Sequence, residues 1–291
     1  MKVLVLGCKG QLGHCLYDQL IKTDYEVVFL SRVDFDIGDL SSLSKNVSLI
    51  KPDLVINASA YTAVDKAEDD KQMADLINHG AVAKLANVCK ALNAWLIHVS
   101  TDYVFDGTAT KPYSEDDKTN PQGIYGDSKL NGELAITRSG CNHIIIRTAW
   151  VFSEYGNNFM KTMLKLGAEK NKLSVVGDQK GCPTYAQDIA KVIVCMLARL
   201  GDKDIIGTYH FSGDRECSWF DFALEIFEQA RNYGLCTPKV IESITTSEYP
   251  TPAKRPCYSV LDNNKIHKAF GVVPSDWRLG ITSVLTSLQS D

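Results

Sequence analysis

The sequence predicts an α/β fold in which helices cover both faces of a parallel sheet. Three observations carry that prediction. Short apolar runs alternate with segments of helical periodicity up to about residue 150. The runs are apolar throughout, as in strands buried on both sides, and lack the alternation of a half-exposed sheet. The turn after the first run is rich in glycine. At 291 residues, 45% hydrophobic and 23% charged, the chain holds one large domain or two closely packed ones. That composition excludes a disordered tail, a collagen and a coiled coil.

Residues 2–6 (KVLVL) end at Gly7 and read as the first strand. Leu12, Cys15, Leu16 and Leu20, at three- and four-residue steps, predict a helix. Strands follow at 25–30, at 53–60 after Pro52, and at 95–105, with a long amphipathic helix at 73–92 before the last. A helix over 125–138 and a strand over 143–152 complete this half. Strand–helix alternation of this kind winds a parallel sheet. Beyond it, helices are expected at 156–170, 187–200 and 218–234, and strands at 173–177 and 207–213. Ser218 is placed to cap the helix that Gly234 stops. The segment 243–258 holds three of the nine prolines and reads as an irregular loop. No internal repeat or low-complexity tract interrupts the chain.

Lys and Arg number 31 against 35 Asp and Glu, a net charge of −4. No broad nucleic-acid surface is expected, although a local basic pocket for a phosphate is compatible with this balance. Nine cysteines, an odd number without a CxxC pair, predict reduced thiols, a cytoplasmic protein and no zinc site. Lys2 precedes only four apolar residues, too few for a secretory core, and no stretch is long enough to span a bilayer. The six histidines show no HxH or HExxH spacing, so no metal is expected. His98 and His210, inside strand patterns, read as packing or surface residues.

Gly7, Gly10 and Gly13 form GxxGxxG between the first strand and its helix. Glycine lets the backbone turn sharply and approach a pyrophosphate, and the helix start offers free amides. A plain strand–turn–helix connection would look the same, but the order at the N-terminus favours a Rossmann-type dinucleotide site. Ser31 and Arg32 end the second strand, with no acid at the tip. A hydroxyl and a guanidinium there suit a 2′-phosphate, so NADPH is favoured over NADH. Asp39 reads as a partner for the adenine amino group, as the N-cap of a helix at 40–50, or as one carboxylate serving both.

Tyr125 and Lys129 in YGDSK share one helix face at i,i+4. A phenol needs help to exchange protons at neutral pH, and an ammionium beside it, with the positive nicotinamide ring, would lower its pKa. YxxxK alone is a weak motif. Ser100, Thr101 and Asp102 end the fourth strand, and open α/β sheets carry their sites at carboxyl ends of strands. Thr101 is therefore expected to reach the carbonyl oxygen that Tyr125 protonates.

These motifs resemble the extended short-chain dehydrogenase/reductase superfamily, and within it the family of dTDP-4-dehydrorhamnose reductases. The likeness is carried by GCKGQLG (7–13), PDLVINASAYTAVDKAE (52–68), HVSTDYVFDG (98–107), YGDSKLNGE (125–133), IIRTAWVFSEYGNNF (145–159), GDQKGCPTYAQDIA (177–190) and YPTPAKRP (249–256), which cover most of the chain. The resemblance implies NADPH- or NADH-dependent reduction of the C4 ketone of dTDP-4-dehydro-L-rhamnose to dTDP-L-rhamnose. It puts Gly10, Gln11 and Leu12 along the pyrophosphate, Asp39 and Leu40 at the adenine, and Ala60, Tyr61 and Thr62 beside the cofactor. Tyr125 becomes the proton donor, with Lys129 its partner. Thr101 and Asp102 would contact the sugar, Trp150 would pack on the sugar or its linked group, and Arg255 would meet the nucleotide phosphates. Trp150 as a core residue and Arg255 as a surface charge stay open. So do a related deoxysugar reductase and a non-enzymatic protein similar to the regulatory beta subunit of methionine adenosyltransferase.

The superfamily also implies a second lobe. Residues 1–148 and 184–212 would bind the dinucleotide, while 149–183 and 213–291 would form a smaller nucleotide-sugar lobe that brings Trp150 and Asn158 into the cleft. Some relatives join a dimer through magnesium held by an acid shortly after the glycine loop. His14 and Cys15 occupy the corresponding positions here, which puts such a metal in doubt and leaves a homodimer through other contacts open.

Overall fold

A computed structural model describes residues 1–290. Its centre is a six-stranded sheet of β1 (Lys2–Leu6), β2 (Glu26–Leu30), β3 (Leu54–Asn57), β4 (Trp95–Thr101), β5 (Asn142–Thr148) and a sixth strand, Gly207–His210. All neighbours are parallel, in the spatial order sixth–β5–β4–β3–β1–β2. The chain runs outward from β1 to β2, then crosses back past β1 to β3. That reversal opens a crevice at the carboxyl ends of β1 and β3, the place where such sheets bind ligands.

Burial on both faces explains the unbroken apolar strands. Val3 and Val5 pack with Leu12, Cys15 and Leu16 of α1 (Gln11–Leu20) and with Ile189 and Ile193 of the helix Ala186–Leu197. On the other face Leu4 and Leu6 meet Leu43 and Val47 of α2 (Leu40–Ile50) and Val82, Leu85 and Cys89 of the helix Ala81–Leu92.

The helix expected over 73–92 is interrupted. Lys71–Asp75 is α-helical, Leu76–Gly80 forms a π turn, and Ala81–Leu92 resumes the α-helix. Tertiary bonds account for the extra residue in that turn. The Asn78 amide accepts from Tyr61 N and donates to Tyr61 O and Ser128 Oγ. Its carbonyl lies against Gly132, where a Cβ would come within 2.2 Å of Asn78 O.

A separate apolar cluster gathers Phe152, Met160, Met163, Phe222, Ile226, Trp277 and Ile281. They come mainly from the helices Phe159–Glu169, Trp219–Asn232 and Trp277–Ser290. Ser218 caps the second of these in a reciprocal box with Asp221. The loop expected at 243–258 begins inside a strand: Val240–Ile244 pairs in parallel with Lys172–Val176. Within the stretch 213–291, Ile266 and Phe270 pack back onto the core of the main sheet. Among the described residues no helix is long and apolar enough to cross a membrane.

Candidate active site

A cleft of about 820 Å³ lies along the carboxyl edge of the sheet. At one end the backbone turns from β1 into α1. Gly7 has φ +83°, and a Cβ there would come within 2.8 Å of Ser59 N. A Cβ on Gly13 would sit 2.2 Å from Gly7 O. Both positions require glycine, one for conformation and one for the close approach of α1. The result is a strand–turn–helix cradle that sets the N-terminus of α1 at the cleft.

Most of the sequence-predicted residues line this one cleft: Gly7, Gly10, Gln11, Leu12, Ser31, Arg32, Ala60, Tyr61, Thr62, Thr101, Asp102, Tyr125, Lys129 and Trp150. Ser31 is buried, and its hydroxyl and amide both donate to Asp34 Oδ2. Arg32 is largely exposed and reaches Asp36 only at 3.9 Å, so its guanidinium is available to an anion. Gly13 supports the cradle from beneath. Asp39 caps α2, accepting from the amides of Ser41 and Ser42; it and Leu40 stand outside the lining, where Asp36 and Ile37 are found instead.

Asn158 and Arg255, expected at the substrate, stand outside the lining, each bonded to a residue within it. Asn158 caps the helix Phe159–Glu169 and donates to Gln11 Oε1 at 2.9 Å, tying that segment to the start of α1. Arg255 is paired with Asp65 at 2.6 Å and bonded to Tyr103 OH at 2.9 Å. Trp150, at φ +49°, stacks face to face on Trp219 with ring centroids 3.5 Å apart. Gly181 packs so closely against its indole that a Cβ would come within 2.4 Å.

The helix Ile124–Ser139 places Tyr125 and Lys129. Glu68 accepts from Ile124 N at 2.8 Å and so secures the first turn. Burial raises the Tyr125 phenol above its ordinary range; the Thr101 hydroxyl lowers it by less, and Asp102 and Tyr103 add lesser rises. The YxxxK spacing predicts a phenol lowered by Lys129 together with a bound nicotinamide ring. The structure differs because Lys129 is turned beneath the sheet edge, where Nζ donates to Val99 O at 2.7 Å and lies 3.1 Å from His98 Nε2. Burial brings the Lys129 amine down to about 8, with Glu133 working the other way. Tyr125 is thus a neutral phenol at pH 7, the form that gives a proton.

Two buried polar atoms facing this region are without a protein partner among the described residues: Asp102 Oδ2 and Thr148 Oγ1. Burial raises the Asp102 carboxyl to about 6, against smaller lowering by the nearby Ser259 hydroxyl and by the Thr101 hydroxyl bonded to Oδ1. An unpaired buried carboxyl oxygen and an unpaired buried hydroxyl call for ligand partners.

Below the site, Glu133 and Arg147 form a buried ion pair at 2.7 Å, and Ser100 Oγ donates to Glu133. These bonds fix the ends of β4 and β5 to the helix that carries Tyr125. His98 sits in that layer, fully buried, with Asn57 Nδ2 at 3.1 Å from its Nδ1. Inside a strand pattern it reads as a packing or surface residue; the structure makes it a buried, hydrogen-bonded one. The available signal is a pair of polar residues, Asn57 and His98, each the fourth residue of its apolar strand and in register with the other.

Comparison with known proteins agrees with this geometry. A family model described as the RmlD substrate binding domain matches residues 1–290. The chain is 42% identical over 287 residues to the dTDP-4-dehydrorhamnose reductase of Aggregatibacter actinomycetemcomitans, covering 97% of this chain and 98% of that protein. A crystal structure of a dTDP-4-dehydrorhamnose reductase from Clostridium acetobutylicum superposes with a TM-score of 0.92 at 39% identity, covering 99% of this chain and 100% of the other. That of Bacillus anthracis dTDP-4-dehydrorhamnose reductase, in complex with NADP, gives 0.90 at 34%, covering 98% and 99%.

Proposed function

The chain belongs to the RmlD substrate binding domain family, and we propose on that footing that it reduces dTDP-4-dehydro-L-rhamnose to dTDP-L-rhamnose with NADPH or NADH. The observation that carries this reading is the neutral, half-buried Tyr125 beside Thr101, in the same cleft as the glycine cradle of β1 and α1.

The cradle fits a dinucleotide because Cβ atoms at Gly7 and Gly13 would close it. Gln11 and Leu12 would hold the pyrophosphate with backbone amides, beside Gly10, whose own amide donates to Gly7 O within the turn, while Ala60, Tyr61 and Thr62 would wall the cofactor. When bound there, the reduced nicotinamide supplies the hydride. Tyr125 holds the proton for the sugar oxygen, and Thr101 bonds that oxygen and keeps it in line. Proton delivery leaves a phenolate, which the phenol's burial opposes; the site therefore favours delivery only as negative charge builds on the substrate oxygen. Asp102, with its unpaired Oδ2, accepts from a sugar hydroxyl, and Trp150 offers an indole edge to the same group. Arg255, held by Asp65 and Tyr103, stands at the nucleotide end.

We assign 1–148 and 184–212 to cofactor binding and 149–183 with 213–291 to the nucleotide sugar; the separate apolar cluster around Phe222 supports that division. Nine free cysteines support a cytoplasmic setting. The cofactor preference rests on Arg32. Arg32→Ala is expected to weaken NADPH but not NADH, by roughly 1.5–3 kcal/mol for a lost charge-assisted bond; equal losses in cofactor titrations would remove Arg32 from the site. The substrate assignment is tested with the purified protein, NADPH and a panel of 4-keto nucleotide sugars, followed by cofactor absorbance. Turnover is expected to be fastest with dTDP-4-dehydro-L-rhamnose, and a faster reaction with another sugar would reassign the substrate.

A further inference from the structure

The geometry points to Thr148 as the residue that holds the carboxamide of a bound nicotinamide ring, through its side-chain hydroxyl at the end of β5. This assignment rests on the dinucleotide reading of the cleft. Thr148 is the last residue of β5, is only 5% exposed and lines the cleft. Its Oγ1 is buried and has no protein partner among the described residues. A buried hydroxyl left unbonded is costly, so its presence calls for a partner from outside the chain.

Position along the sheet identifies that partner. Side chains alternate along β5: Ile144 and Ile146 enter the core beside α1, while Ile145 enters the opposite core and Arg147 bonds Glu133. Thr148 therefore faces the α1 side. Thr101, its register partner on β4, faces the same way, two residues after Val99 of that core. Val99 and Val151 also line the cleft, together with Ile189 from the helix Ala186–Leu197. None of these three side chains can bond a hydroxyl. A flat ring bearing one amide suits such a wall, because the ring covers the apolar surface and the amide meets the single polar group.

The direction of the cofactor agrees with this placement. Ser31 and Arg32 follow β2, and the glycine cradle follows β1. With the adenosine half toward β2 and the pyrophosphate at the cradle, the nicotinamide half runs the other way, over β3 and β4 to β5, across about 14 Å of sheet. Hydride transfer sets ring C4 against the ketone carbon, whose oxygen is the one assigned to Thr101. The carboxamide is borne on the ring carbon next to C4. Adjacent strands are about 4.8 Å apart, so Thr148 stands one strand from Thr101, within reach of that substituent. Its hydroxyl can give a hydrogen to the amide oxygen or accept one from the amide NH₂. Held there, the carboxamide fixes which face of the ring meets the sugar.

Binding measurements test the assignment without turnover. Thr148→Val keeps the shape of the side chain and removes the hydroxyl. Calorimetric titration is expected to show it binding NADPH about three- to tenfold more weakly than wild type, as for one lost hydrogen bond. The fragment 2′-phospho-ADP-ribose, which lacks the nicotinamide, should bind both proteins alike, and Thr148→Ser should restore NADPH binding. Without cofactor the valine variant should melt no lower than wild type, because a methyl replaces an unbonded hydroxyl. Unchanged NADPH binding by Thr148→Val overturns the proposal, whether or not the KM for the sugar rises. Equal weakening of NADPH and the fragment overturns it, and so does a lower melting temperature without cofactor, which marks a packing residue. A wild type that binds NADPH but reduces no 4-keto sugar would overturn the reductase reading while the titrations still decide the role of Thr148. A wild type that binds neither NADPH nor NADH overturns both.

Discussion

Asp102 shows how the site spends stability on chemistry. Its carboxyl is buried, one oxygen is unpaired, and its pKa rises to about 6 from 3.8. A raised folded-state value means that the protonated form is the one the fold favours. That contribution is present in full below about pH 4 and is lost as pH rises through 6, where the folded chain must bury a carboxylate. The shift of about two units corresponds to roughly 3 kcal/mol between the two ends of that window. Asp102→Asn keeps the shape and removes the titration. Urea unfolding should show the variant gaining on wild type by up to that amount at pH 8 and by much less at pH 4. A gain of the same size at both pH values would show that Asp102 is not titrating in the fold. Several side chains around it were legible beforehand, because Thr101, Tyr125 and Lys129 stand at spacings that tie them to a strand end and one helix face. The direction of the Tyr125 shift was not. It depends on where the Lys129 amine points, and a bond to a backbone carbonyl of β4 leaves no trace in a motif.

The connection between β1 and α1 is the element on which cofactor binding depends. Gly13 lies on the helix face that meets the turn, and a Cβ would come within 2.6 Å of Cys8 backbone atoms as well as 2.2 Å of Gly7 O. Backbone cannot yield as a side-chain tip can, so Gly13→Ala must push α1 away from the turn. The expected cost is about 1–3 kcal/mol of overpacking, with dinucleotide affinity reduced at least tenfold. A variant that binds NADPH as tightly as wild type in a fluorescence titration would mean that α1 does not shape the site. Elements of this kind were readable because local rules and the global fold agree: an apolar run, three glycines and a helix period all point the same way. The π turn at Leu76–Gly80 was hidden because bonds from Asn78 to residues far along the chain, not its own periodicity, set it. Val240–Ile244 was hidden because a two-stranded pairing leaves much of it exposed, and its polar residues then resemble a loop.

Across the molecule, the cleft depends on segments far apart in sequence meeting at its rim. Gln11 at the start of α1 accepts from Asn158 and Ser153, and Trp150 reaches the cleft from a left-handed turn after β5 while stacking on Trp219. Those contacts join the glycine cradle to the apolar cluster around Phe222. Trp150→Ala is expected to raise the KM for the nucleotide sugar several-fold while cofactor affinity stays within about twofold, the pattern of a lost binding contact. Joint loss of cofactor binding and of folding would instead mark Trp150 as a packing residue. The account as a whole turns on whether Tyr125 gives its proton to a bound sugar ketone. Tyr125→Phe removes only the hydroxyl and leaves the ring in its edge-on contact with Tyr103. The most direct measurement is therefore single-turnover reduction of dTDP-4-dehydro-L-rhamnose by the NADPH-loaded variant and wild type. The account predicts unchanged NADPH binding and a rate lowered by about 10²–10⁴-fold; hydride transfer at the wild-type rate would contradict it.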